Sequence, residues 1–201
     1  MTDLAAKDLA AIYPKPTPRV IAKARPAIDV HAKNFIAMSP FCVLATSGTD
    51  GSVDASPRGG HAGFVHVDGP NRLLMPDRHG NNRIDSFKNI VEGTGFVQLL
   101  FFVPGIDETL RVGGKGTLSS APELLAAMEE FGKPPRAVLC IAVQEAYFHC
   151  GKALMRSRLW APDAQVQRTA FPSIAEVIHD QTALGEPEAQ AIVEARYREQ
   201  L

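Results

Sequence analysis

Three stretches of this sequence hold residue types that could do chemistry. The first is Ala55-Ser56-Pro57-Arg58-Gly59-Gly60. An arginine among small residues at a strand end offers a guanidinium fork and open backbone amides to an anion. Taken alone, Arg-Gly-Gly also reads as a solvated turn. The second is Met75-Pro76-Asp77-Arg78-His79-Gly80-Asn81-Asn82-Arg83-Ile84-Asp85-Ser86. Its polar residues lead from a strand into a helix. A helix start favours phosphate because its first amides are unpaired and its dipole end is positive. Arg78 and Arg83 add charge; capping plus surface charge is the competing reading. The third runs His149-Cys150-Gly151-Lys152-Ala153-Leu154-Met155-Arg156-Ser157-Arg158-Leu159-Trp160. Cations followed by the only tryptophan can flank a flat, electron-rich ring. A basic surface helix anchored by Trp160 is the alternative.

Other chemistries find little support. His61, His66, His79 and His149 are scattered, and no triad or carboxylate pair stands out. His149 is a candidate proton donor, though an ordinary histidine fits as well. Cys42, Cys140 and Cys150 form no CxxC pair, so neither a metal site nor a disulfide framework is indicated. Cys42 and Cys140 lie in apolar runs and read as small buried hydrophobes in a reducing compartment. Cys150 could be a redox thiol or a packing residue. The formal net charge is −1, which argues against a nucleic-acid partner.

These residues need elements to position them. At 201 residues and 45% hydrophobic content, the chain suits one domain with its own core. Residues 2–13 read as a short helix, stopped by Pro14, Pro16 and Pro18. A second helical stretch spans 20–38, broken at Pro26, with Asp29 as a cap for its second half. Short strands are expected at 41–46, 53–57, 64–67 and 72–75. Asp50-Gly51 and Asp68-Gly69-Pro70-Asn71 supply turns between them, as in an antiparallel meander. A helix is expected at 82–91, then strands at 95–103 and 109–119. Glycines inside the latter suggest a bulge or a close approach. Helix 122–131, strand 137–148, a helix from 153, and helices 172–180 and 186–199 complete the chain. The expectation is an α+β fold, a small β-barrel at 41–160 between an N-terminal helical extension (1–40) and C-terminal helices (161–201). With no apolar leader or membrane-length stretch, the expected location is cytoplasmic.

The order and spacing of the three motifs resemble the FMN-binding split β-barrels of the pyridoxamine 5'-phosphate oxidase-like family, over roughly residues 30–165. The segment His149–Trp160 is similar to a branch of FMN-dependent proteins of unknown substrate. The resemblance implies a homodimeric FMN-dependent oxidoreductase, with flavin sites at the subunit interface and a small-molecule substrate. It implies that Pro57, Arg58 and Gly59 lie along the flavin. Met75, Pro76 and Asp77 would bring backbone to its ring. Asn82, Arg83 and Ser86 would hold its phosphate. Arg111, Val112, Lys152, Arg156, Ser157 and Trp160 would complete the pocket, largely from the other subunit. The vitamin-binding Arg-Leu-His pattern of the oxidase itself has no match here, which argues against pyridoxamine phosphate as substrate. A flavin- or haem-binding protein without catalysis, or a reductase using the deazaflavin F420, are the alternatives.

Overall fold

The apolar runs near residues 41–47, 96–103 and 138–149 become long strands in a computed structural model that describes residues 3–201. In chain order the elements are α1 (Ala6–Ile12), α2 (Pro18–Ala22), α3 (Val30–Met38), β1 (Phe41–Ser47), β2 (Val53–Gly59), β3 (His66–Val67) and β4 (Arg72–Pro76). Then come α4 (Asp85–Glu92), β5 (Phe96–Val103), β6 (Ile106–Ser119), α5 (Pro122–Ala127), β7 (Val138–His149), α6 (Lys152–Ser157), α7 (Ile174–Thr182) and α8 (Gln190–Gln200).

The strands form one seven-stranded sheet in the order β2-β1-β5-β6-β7-β4-β3. Every pairing is antiparallel. The expected meander of the first four strands is therefore corrected. β1 pairs with β2 and β3 with β4, but the two hairpins lie at opposite ends of the sheet. Pro57 is one reason: it cannot donate to a second neighbour, which suits β2 to an edge. β1 takes β5 as its other partner, with Leu44 opposite Leu99.

Alternation along β1 and β5 turns one face inward. Leu44, Leu73, Leu99, Val112 and Ile141 are fully buried in one cluster with Phe35 and Ile36 of α3 and Phe87 and Ile90 of α4. Strands from both ends of the sheet share that cluster, so the sheet rolls around it. The result is a predominantly antiparallel split β-barrel with flanking helices, an α+β fold. The glycines of β6 make the bulge their position suggested: the β6–β7 register shifts between Gly113 and Gly114. A Cβ at Gly114 would collide with the Ala142 carbonyl oxygen.

Helix boundaries differ from expectation for identifiable reasons. The first helix forms at Ala6–Ile12, while Thr2 lies outside the described residues. The second stretch splits, and Asp29 caps α3 by accepting from the Ala32 amide at 2.8 Å. The helix expected from residue 82 starts at Asp85, because Asn82 (φ 59°) and Ile84 (φ 52°) are left-handed. α5 stops at Ala127, short of a tight turn at Phe131-Gly132. α7 begins at Ile174, where Ser173 accepts from the Glu176 amide at 3.0 Å.

Candidate functional site

The site grows from edge strand β2, whose period of two sends Asp54, Ser56 and Arg58 to one face. That face meets the first turn of α4 and the exit of β4. Arg58 pairs with Asp77 at 3.4 Å, just beyond β4, and its guanidinium lies 5.0 Å from the centre of the Phe87 ring. Arg58 Nε is buried without a hydrogen-bond partner. Burial raises the Asp77 carboxyl above the ordinary carboxylate range, while Arg58 and Arg136 pull it back down. Beneath Arg58, the Ser56 and Ser86 hydroxyls are 3.1 Å apart, and Ser86 donates to Asp54. Cys42 faces Arg58 across the ladder, and burial pushes its thiol up to about 12.

A groove of about 360 Å³ runs past Ser56, Pro57, Arg58 and Gly59 on one side and Pro76, Gly80 and Asn81 on the other. It adjoins a second cleft of about 410 Å³, with which it shares Gly59, Arg78, His79 and Leu201. Phe131, Lys133, Pro134, Pro135 and Arg136 wall the second cleft. Arg78 holds that wall in place. It donates to the Met128 carbonyl at 2.7 Å, the Lys133 carbonyl at 3.2 Å and Glu130 Oε2 at 3.1 Å. Glu130 Oε1 in turn accepts from the His61 amide at 2.6 Å. One ion pair thus fastens the exits of β2 and β4 to the α5–β7 connection. A Cβ at Gly60 would meet Phe64 Cβ at 2.7 Å and Glu130 Oε2 at 2.8 Å, so this junction requires glycine. Glu130 and Lys133 pair around Phe131 (φ 56°) and Gly132 (φ 70°), the mark of a two-residue hairpin turn. The turn lays Phe131 on His61, with ring centres 4.4 Å apart. Among lining side chains, Arg58, Arg78, Lys133 and Arg136 outnumber the carboxylates Asp77 and Glu130, so the lining favours an anion.

The sequence-derived candidates divide into three groups. Pro57, Arg58, Gly59, Pro76 and Asp77 line the clefts. Met75 is buried in the core, which leaves only its backbone for a ligand. Asn82 and Arg83 lie in the loop before α4 rather than in its first turn, which corrects the expected helix-start geometry. Asn82 Oδ1 accepts from Arg136 at 2.8 Å, and the largely exposed Arg83 pairs with Asp85 at 2.8 Å. Ser86 is buried in the hydroxyl network under the groove. The remaining candidates do not line the clefts of the same chain. Val112 is fully buried in the barrel. Arg111 is on the outer face, donating to Gln98 at 2.9 Å and lying 5.4 Å from the Tyr147 ring. Nearby His149 is held below its ordinary value by partial burial and by Lys23 and Arg111. Lys152, Arg156 and Ser157 belong to α6, and Ser157 donates back to the Leu154 carbonyl at 3.0 Å. Trp160 Nε1 donates to the Ile106 carbonyl at 2.9 Å.

Asp54, Glu130, Lys133 and Arg136 were missed. The two-residue period of β2 was signal enough for Asp54. Glu130, Lys133 and Arg136 reach the site from an irregular connection, and no local pattern marks them.

A family model described as pyridoxamine 5'-phosphate oxidase matches residues 28–150. No curated protein matches the chain. HupZ from Group A Streptococcus is similar in structure at a TM-score of 0.48, with 18% identity over 59% of this chain and 91% of that one. A putative pyridoxamine 5'-phosphate oxidase from Lactobacillus delbrueckii scores 0.47, at 20% identity over 61% and 95%. A protein related to general stress protein 26, from Clostridium acetobutylicum, scores 0.45, at 11% identity over 60% and 86%.

Proposed function

The chain belongs to the pyridoxamine 5'-phosphate oxidase family, and on that premise we propose that it is an FMN-dependent oxidoreductase acting on a small molecule. The observation that carries this reading is Arg58, whose buried Nε has no partner at the wall of a groove. The groove, about 360 Å³, is of the size that cofactor sites take. FMN fits this donor set. Ser56 and Asn81, which line the groove, and Arg83, in the loop before α4, would hold the phosphate end, and Pro57, Arg58 and Gly59 would lie along the ring system.

When bound, FMN supplies hydride-transfer chemistry, which asks no nucleophile of the protein. The chain's own residues bind and orient. Asp77 fixes the Arg58 guanidinium. Lys133 and Arg136 keep the adjoining cleft positive for the substrate. Phe131, Pro134 and Pro135 give it an apolar wall. Neither this site nor the chain's near-neutral charge suits a nucleic acid, and no helix among the described residues is long and apolar enough to cross a membrane. The three thiols, all free, suit the cytoplasm.

The working form is a homodimer. Arg111, Lys152, Arg156, Ser157 and Trp160, which lie off the clefts of their own chain, would serve the flavin of the other subunit, as the family resemblance implies. A two-fold partner would also cover exposed Phe41, Val53 and Phe96.

The test is an absorption spectrum of the purified protein, before and after FMN and then NADPH or NADH, with the mass measured in solution. Flavin bands that bleach in a dimer support the proposal. Failure to take up flavin overturns it and sends the search to haem and F420. Bound flavin that no donor reduces leaves a binding protein.

A further inference from the structure

We propose that the C-terminal hairpin of α7 and α8 is a gate on the two clefts, latched by Lys133, and that it limits the size of molecule that enters. The inference rests on the reading of these clefts as the cofactor and substrate site.

The hairpin is attached lightly. Among the described residues a single hydrogen bond joins residues 166–201 to the rest of the chain: Lys133 Nζ donates to the Glu199 carbonyl at 3.3 Å. Lys133 also walls the larger cleft, so the bond sits at the cleft mouth. Beyond it, Leu201 lines both clefts and Gln200 lines the larger. The arm buries almost nothing apolar. α7 has no buried residue, and α8 has only Val193. Phe171, Ile178, Ile192 and Tyr197 remain exposed. Residues 161–173, which connect the arm to the barrel, bury only Ser173.

The arm is nevertheless a unit. Ser173 donates to the Glu188 carbonyl at 2.6 Å, and Arg196 pairs with Glu188 at 2.7 Å. A self-consistent hairpin with one hydrogen bond to the barrel, whose one buried apolar residue belongs to neither core cluster, detaches as a body far more readily than a strand leaves the sheet. The family match ends at residue 150, so the gate is an addition to the shared barrel. With the arm seated, small molecules pass beside Leu201. With it swung away, the groove and the cleft open together.

Ser56 lines the groove and is half-buried with the arm seated, and Ser56→Cys places a thiol there. Flavin-free protein carrying this change is treated with iodoacetamide or with the bulkier, likewise uncharged N-(1-pyrenyl)maleimide, and modification at position 56 is followed by mass spectrometry. Adding Lys133→Ala is expected to speed the maleimide about fivefold and iodoacetamide less than about twofold. Hydrogen exchange of residues 190–200 should quicken in the same variant, while β5–β7 stay protected. Lys88→Ala, a surface lysine change elsewhere, should alter neither rate. Equal effects on both reagents, or none, overturn the gate, as does exchange at 190–200 as slow as in β6 with and without Lys133. Because no flavin is used, failed FMN uptake in the spectral test leaves this result to stand or fall by itself.

Discussion

The barrel and the C-terminal arm are built from similar side chains and held in opposite ways. In the barrel, β6 is hydrogen-bonded along most of its length to β5 and β7, and its apolar residues join one continuous core. In the arm, comparable leucines, isoleucines and aromatics face outward, and hydrogen bonds close within the hairpin. The site lies where the two meet. Its floor is therefore rigid, while one wall is free to move. A pocket made this way keeps its donors preorganised without closing off exchange of ligand.

The largest expected effect tests that contrast in stability. Leu99→Ala or Ile141→Ala should cost about 3 kcal/mol in urea unfolding, because each opens a cavity in a fully buried cluster. Ile178→Ala in α7 should cost under about 0.5 kcal/mol, because that side chain is exposed. Equal costs would erase the distinction. The next effect falls on the floor of the site. Arg58→Ala should weaken FMN binding by about tenfold to a hundredfold, as loss of a charge-assisted donor does, without abolishing folding. Full retention of flavin through dialysis would remove Arg58 from the cofactor site. The smallest effect isolates the arm. Val193→Ala should cost about 1–2 kcal/mol locally. It should speed hydrogen exchange in residues 190–200 and leave β5–β7 unchanged. A matching change across the barrel would mean that arm and barrel unfold together.

Legibility in the sequence followed the range of the interactions. The strands of the barrel were readable as apolar runs bounded by turn residues, and Asp29 was readable as a cap because its bond spans three residues. Arg58 and Asp77 were each singled out, but their ion pair joins β2 to the exit of β4 across 19 positions. The start of α4 was misplaced because its apolar face continues the pattern upstream, while left-handed Asn82 and Ile84 turn the chain away.

By itself the sequence determined an α+β chain of short strands, the tight turns between them and two of the cleft cations, Arg58 and Arg78, since each is marked by neighbours in the chain. Only the tertiary structure decided that the two early hairpins part to opposite ends of the sheet. It also decided that Arg78 and Glu130 pin the cleft wall, and that Lys133 and Leu201 bring the arm to its mouth. These depend on which distant surfaces cover one another, and that choice is made by burial over the whole core, not by any local pattern.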